Sequence, residues 1–260
     1  MNELVFWAGL AVIVQTYMSL WFLMALYTKR YDVVDSAWGL GFVLVAWVSL
    51  ALNGKPSTVQ IVSALLVSLW GLRLFVHIAR RNWRKHQDDH RYEELRAAWG
   101  KHEKRKAYTN VFLLQGVLVL LVSTPMVAIA QANQPTLNVG VVIGWIIWVF
   151  GMAFEAAADY QLANFLHHRK KGSHELTNKG LWGYSRHPNY FGEITTWWGA
   201  AVVAVSVGGW WGVIGALTIT LLITKVSGIP PLERHYKNNP DFQAYAKKTS
   251  VLIPLPKRKG

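Results

Sequence analysis

Long uninterrupted apolar runs, rather than amphipathic stripes, dominate this chain, and short polar clusters punctuate them. Runs of roughly 20 apolar residues suit helices that cross a bilayer. The pattern predicts seven such spans: Leu4 to Leu26, Val33 to Leu52, Val59 to Ala79, Asn110 to Ala130, Val139 to Leu162, Pro188 to Val207 and Trp210 to Val226. Lys29, Arg30 and Asp32 close the first span, and Asn53-Gly54-Lys55-Pro56 turns the chain after the second. Pro125 predicts a kink in the fourth span. Gly208-Gly209 predicts a tight turn between the last two. The expected fold is all-α: a single transmembrane domain forming a polytopic bundle of seven helices.

Charge gives the bundle a direction. Every Lys and Arg except Lys55 and Arg73 falls on one set of loops: 29–32, 80–109, 163–187 and the tail from 225. The positive-inside rule then places the N-terminus outside and the C-terminus in the cytoplasm. The formal net charge of +13 is read as membrane topology and headgroup attraction, so lipids are the expected partners and nucleic acid is not. Within the basic stretch 80–109, residues 91–99 predict a short helix lying at the interface. The first apolar run lacks a basic leader and a small-residue cleavage site, so it is read as a retained helix. With no cysteine, thiolate chemistry and Cys-ligated metals are excluded. Adjacent His167 and His168 point different ways, and no metal is expected.

Ionisable residues inside spans are costly and mark function. Glu155 and Asp159 lie one turn apart on the fifth span, and Asn189 and Glu193 repeat that spacing on the sixth. Arg73, His77, Arg80 and Arg81 end the third span, and Asp32 and Asp35 begin the second. Four helices thus bring polar groups to the same predicted cytoplasmic depth. Before the sixth span, Tyr184-Ser185-Arg186-His187-Pro188-Asn189-Tyr190 opens a helix whose free N–H groups favour an anion. Arg186 and His187 stand in front of it, with His167, His168, Arg169, Lys170 and Lys171 upstream, so a phosphate is the expected guest. Gly192 leaves room for a backbone or a flat ring.

These residues also carry a family resemblance. Phe154-Glu155, Asp159-Tyr160-Gln161, Gly180-Leu181-Trp182 and the run Tyr184 to Glu193 resemble the signature of the steroid 5-alpha-reductase-like membrane family, in its bacterial DUF1295 branch. Pro231-Leu232-Glu233, Tyr245, Thr249-Ser250 and Ile253-Pro254 fit it too. The resemblance covers about residues 150–256, the reductase-like half. Before that it is weaker, at Asp35 to Gly39 and Arg73 to Asn82. It implies an NADPH-dependent reductase of a lipophilic enone in a bacterial inner membrane. It places Asp159, Tyr184, Asn189 and Glu193 against the dinucleotide; Arg186, His187 and Tyr190 join them from the reading of the helix start. Ile78 stands where the steroid reductases present a Tyr to the ketone, so Asp35, His77 and Glu155 become the catalytic candidates. Isoprenylcysteine and phospholipid methyltransferases share the Arg-His-Pro-x-Tyr turn, which leaves an S-adenosylmethionine enzyme, or a binding protein without catalysis, as the alternatives.

Overall fold

The structure, a computed structural model, describes residues 2–83, 88, 90–170 and 175–257, all helix and connecting turns with no strand among them. In chain order the α-helices are α1 (Glu3–Thr28), α2 (Val33–Leu52), α3 (Thr58–Trp83), α4 (His90–Trp99), α5 (Glu103–Ala107), α6 (Leu114–Val122), α7 (Thr124–Gln131), α8 (Val139–His168), α9 (Pro188–Ser206), α10 (Val213–Leu221), α11 (Ile229–Tyr236) and α12 (Pro240–Lys248). The predicted basic residues Arg84, Lys85 and Lys171 lie outside the described residues, as does the side chain of Arg91.

Six helical runs are long and apolar enough to cross a membrane: Glu3–Thr28, Val33–Leu52, Thr58–Asn82, Tyr92–Val122, Val139–His168 and Trp210–Tyr236. The predicted span from Pro188 forms α9, but α9 is not among the six. Its first half carries Asn189, Tyr190, Glu193, Thr195 and Thr196, which dilute its apolar character. The fourth span also differs from expectation. A π-helical turn over Tyr108–Leu113 joins α5 to α6, so this helix starts well upstream of Asn110. It stops at Val122, and Pro125 sits in the first turn of α7. That placement wastes no hydrogen bond, because the first N–H groups of a helix have no partner within it. The predicted kink is thus an interruption of the helix at the single residue Ser123.

The chain packs as two compact units. The first comprises residues 1–138 with 204–214, the second residues 139–203 with 215–260. In the first, α2 is the most enclosed of the long apolar helices, burying Val34, Ala37, Phe42, Val45, Ala46 and Leu50. It crosses α3 at Gly39 and Gly71, where either Cβ would strike the other glycine's carbonyl oxygen. The predicted short helix forms as α4. Its Tyr92 is buried in a cluster with Ala25, Tyr31, Val34, Ala107, Val111 and Phe112, and Trp99 packs against that cluster.

Polar groups bind the α1–α2 turn of this unit to the basic stretch. The Asp88 carboxylate accepts from the backbone N–H groups of Tyr31 and Asp32, each at 3.0 Å. Arg96 pairs with Asp88 at 3.1 Å and lies over the Tyr31 ring at 4.7 Å. Tyr31 Oη donates to Glu103 at 2.8 Å. Arg30 pairs with buried Asp32 at 2.6 Å, and Asn82 Nδ2 donates to the Asp32 carbonyl at 3.0 Å.

The second unit is built on a close pair, α8 and α9. At 30 residues α8 is about 45 Å long at the usual rise, more than the roughly 30 Å hydrocarbon core requires. Glycines recur at seven-residue intervals on both helices: Gly144 and Gly151, Gly192 and Gly199. A Cβ on Gly199 would meet Trp148 N at 2.5 Å, one on Gly151 would meet Thr196 N at 2.5 Å, and one on Gly192 would meet Glu155 N at 2.5 Å. Small residues that let backbones approach are the usual means of packing helices in lipid. Of the two guests expected at Gly192, the structure supplies a backbone. The chain leaves α9 through Gly208 at φ +89°, with Gly209 N donating to Ala204 O at 2.8 Å and Gly208 N to Val205 O at 3.0 Å. That pair of bonds is the Schellman motif, which requires a left-handed residue where glycine stands.

Candidate functional site

The close approach at Gly192 decides what the second unit presents. It places Glu155 and Asp159 of α8 beside the first turns of α9. Both carboxylates are buried, at 3% and 8% exposure. Asn189 Nδ2 donates to Asp159 Oδ1 at 3.3 Å. Asn189 Oδ1 is buried and lacks a hydrogen-bond partner among the described residues. A buried acceptor left unpaired costs about 1–3 kcal/mol, which makes this atom a candidate contact for a donor. Glu193 and Tyr190 are half-buried, and Tyr184 is half exposed.

The loop ahead of α9 is held from several sides. Gly180, at φ +59°, lets Leu181 N donate to Gln161 Oε1 at 2.9 Å. Trp182 Nε1 donates to Ala158 O at 3.0 Å, and Tyr245 Oη donates to Trp182 O. Burial pushes the Tyr245 phenol well above its ordinary range, so it stays a donor in alkaline solution. Ser185, fully buried, donates to Leu252 O at 2.7 Å and accepts from His187 N at 3.1 Å.

Arg186 and His187, expected to face a phosphate, turn inward. Both engage Glu233 of α11. The His187 ring also stacks on Tyr190, centroids 5.6 Å apart and planes at 15°. A carboxylate only accepts, so His187 Nε2 carries the proton it shares with Glu233. Burial pushes the His187 pKa below its ordinary 6.5, outweighing the pull of Glu233. The unfolded chain therefore takes up a proton at pH values where the folded chain does not. Stability is expected to fall as pH drops through 6.5 toward the folded value. Melting midpoints between about pH 7.5 and 5.5 would show the slope, and His187→Gln should flatten it; an equal slope in the variant would remove His187 as its source.

The remaining candidates sit in the first unit. Asp35, on α2, accepts from Tyr92 Oη at 3.1 Å and lies 3.8 Å from Arg81. His77 is half-buried on α3. Upstream of the α9 loop, His167, His168 and Lys170 are exposed at the end of α8. No group of three or more His, Asp or Glu suited to a metal occurs among the described residues.

Glu233, Ser185, Trp182 and Tyr245 escaped the reading of the sequence as site residues. Glu233 had a signal: it is the sole acid between Glu193 and Asp241, in a strongly basic tail.

Over 115 residues the chain is 30% identical to 3-oxo-5-alpha-steroid 4-dehydrogenase 1 of Bos taurus, covering 43% of this chain and 40% of that protein. The Rattus norvegicus protein of the same name is 30% identical over 114 residues, 43% and 40% of the two chains. The Homo sapiens protein is 31% identical over 115 residues, 44% and 40%. The matched stretch thus spans about two fifths of these relatives. No solved structure gives a significant match. The family described as "Protein of unknown function (DUF1295)" matches residues 21–249, nearly the whole length, and the chain belongs to that family.

Proposed function

We propose that the protein is a membrane-embedded, NADPH-dependent reductase of a lipophilic enone or related unsaturated lipid. The observation that carries this reading is the Asp159–Asn189 pair, set on a glycine-tight helix crossing, with one buried acceptor open. The resemblance to the steroid dehydrogenases supports the reaction class.

The residues suit a dinucleotide. The Asp159 carboxylate and Asn189 Oδ1 are acceptors for ribose hydroxyls or an amide N–H, and Glu193 adds a third on the same helix face. The half-exposed Tyr184 ring offers a stacking surface. Exposed His167, His168 and Lys170 carry the donors for phosphate. When bound, NADPH supplies the hydride that adds to the β-carbon of the enone. The protein's task is to stabilise charge gathering on the carbonyl oxygen and to see the α-carbon protonated. A buried carboxylic acid kept neutral can donate to such an oxygen; we assign this work to Glu155, buried beside Asp159 and Asn189 in the same unit. The topology we propose has seven crossings, α9 included, with the N-terminus outside and the nucleotide site in the cytoplasm of a bacterial inner membrane.

Thermal shift of the detergent-purified protein with NADPH, NADH, S-adenosylmethionine or buffer tests the reading. NADPH should raise the melting midpoint, and Asn189→Ala and Glu193→Ala should each weaken binding by about tenfold or more, the worth of one lost charge-assisted or buried hydrogen bond. Stabilisation by S-adenosylmethionine alone would make the protein a methyltransferase, and no shift with any compound would favour a binding protein.

A further inference from the structure

Arg186 stands directly before α9, where its charge invites reading as an anion ligand. Its guanidinium is committed elsewhere. Nε donates to Glu233 Oε1 at 2.8 Å and Nη2 to Glu233 Oε2 at 3.0 Å, the parallel fork typical of strong Arg–carboxylate pairs. Nη1 donates to the carbonyls of Ala246 at 3.0 Å and Thr249 at 2.8 Å. Four of its five N–H groups are thus engaged, and its side chain is 8% exposed. His187 Nε2 reaches the same Glu233 oxygen at 3.2 Å. The backbone repeats the arrangement: Arg186 N donates to Ser250 O at 2.8 Å, and Leu255 N to Tyr184 O at 3.1 Å.

We infer that Glu233 is a positioning residue: with Arg186 it forms an internal clasp that sets His187, Tyr190 and Asn189 for their ligand, and Arg186 is not itself a phosphate ligand. The inference deepens the nucleotide reading in naming that ligand; the clasp itself stands apart from it. Glu233 touches two consecutive residues, Arg186 and His187. His187 supports Tyr190 by stacking, and Asn189 lies between them on the first turn of α9. One carboxylate therefore governs the start of the helix from outside it. Removing either partner strands the other's charge, whereas removing both does not.

Three measurements test this on the full-length protein. Without any ligand, Glu233→Met and Arg186→Met should each lower the melting midpoint by about 5 °C or more, and the double variant should lose clearly less than the sum. Additive losses would overturn the clasp. Nitrogen-15 histidine spectra should show His187 protonated at Nε2, and Glu233→Met should change that signal; an unchanged signal would remove Glu233 as its positioning partner. With NADPH, both single variants should weaken binding to the same extent, about tenfold. Affinity kept or raised in Glu233→Met but lost in Arg186→Met would make Arg186 a direct anion ligand and overturn the inference. Should the unaltered protein bind no nucleotide, the reductase reading fails, while the melting cycle and the histidine signal still decide the clasp.

Discussion

Replacing Gly192 by alanine should be strongly destabilising and should disturb the candidate site as well. In a helix that change ordinarily helps, by roughly 1 kcal/mol, because alanine restricts the unfolded chain. Here the new Cβ would lie 2.5 Å from Glu155 N and 2.7 Å from its Cα and Cβ. These are mainly backbone atoms of α8 and cannot swing aside. The two helices must part by about 1 Å, and overpacking of this kind costs about 1–3 kcal/mol or more. The separation would also pull Asn189 from Asp159, already at 3.3 Å. The expected result is a sharp fall in monodisperse yield and in the NADPH-induced shift, and no folded material for Gly192→Leu. Gly9→Ala is the control, since no atom lies within 4 Å of its added Cβ. It should melt at or slightly above the parent. Equal behaviour of the two alanine variants in size-exclusion and melting assays would refute the packing argument.

Loss of the Asp88 carboxylate should be strongly destabilising to the first unit. Asp88 accepts from two backbone N–H groups at the start of α2 and pairs with Arg96. Its side chain is 5% exposed, so water does not readily replace it. Hydrogen bonds to a charged group are worth about 1.5–3 kcal/mol each, and orphaned donors add their own cost. Arg96 is one-third exposed and can turn to solvent, which trims the total. Asp88→Ala is expected to destabilise by about 3–4 kcal/mol, lowering the melting midpoint by about 8–15 °C for a chain of this size. Asp88→Asn keeps one acceptor and should recover part of the loss. A midpoint for Asp88→Ala within about 2 °C of the parent would show that the turn does not depend on it.

Much of this fold could be read from the chain because apolar runs end where charges begin. Lys29 to Asp32 and Asn53 to Pro56 mark the limits of α1, α2 and α3 almost to the residue. Reading failed where that contrast disappears. The apolar run through Ser123-Thr124-Pro125 conceals a break, and the polar start of α9 makes a real helix a poor spanning candidate. The site divides in the same way. Asp159 and Asn189 were visible because each is a polar residue at helical spacing within an apolar run. The fate of Arg186 was not visible. Its partner Glu233 lies 47 residues away, and no local period records such a pairing.

The clasp also bears on the order of assembly during synthesis. The loop at residues 182–186 finds its partners 60–67 residues later in the chain, in Tyr245 and residues 249–252. At about 5–20 residues per second the ribosome needs about 3–13 s to supply them. By then α8 and α9 have both been made and can already be paired. Glu233, 47 residues after Arg186, emerges sooner than these, and until it does Arg186 and His187 lack their carboxylate. The loop ahead of α9 therefore completes its hydrogen bonds only after α8 and α9 have formed.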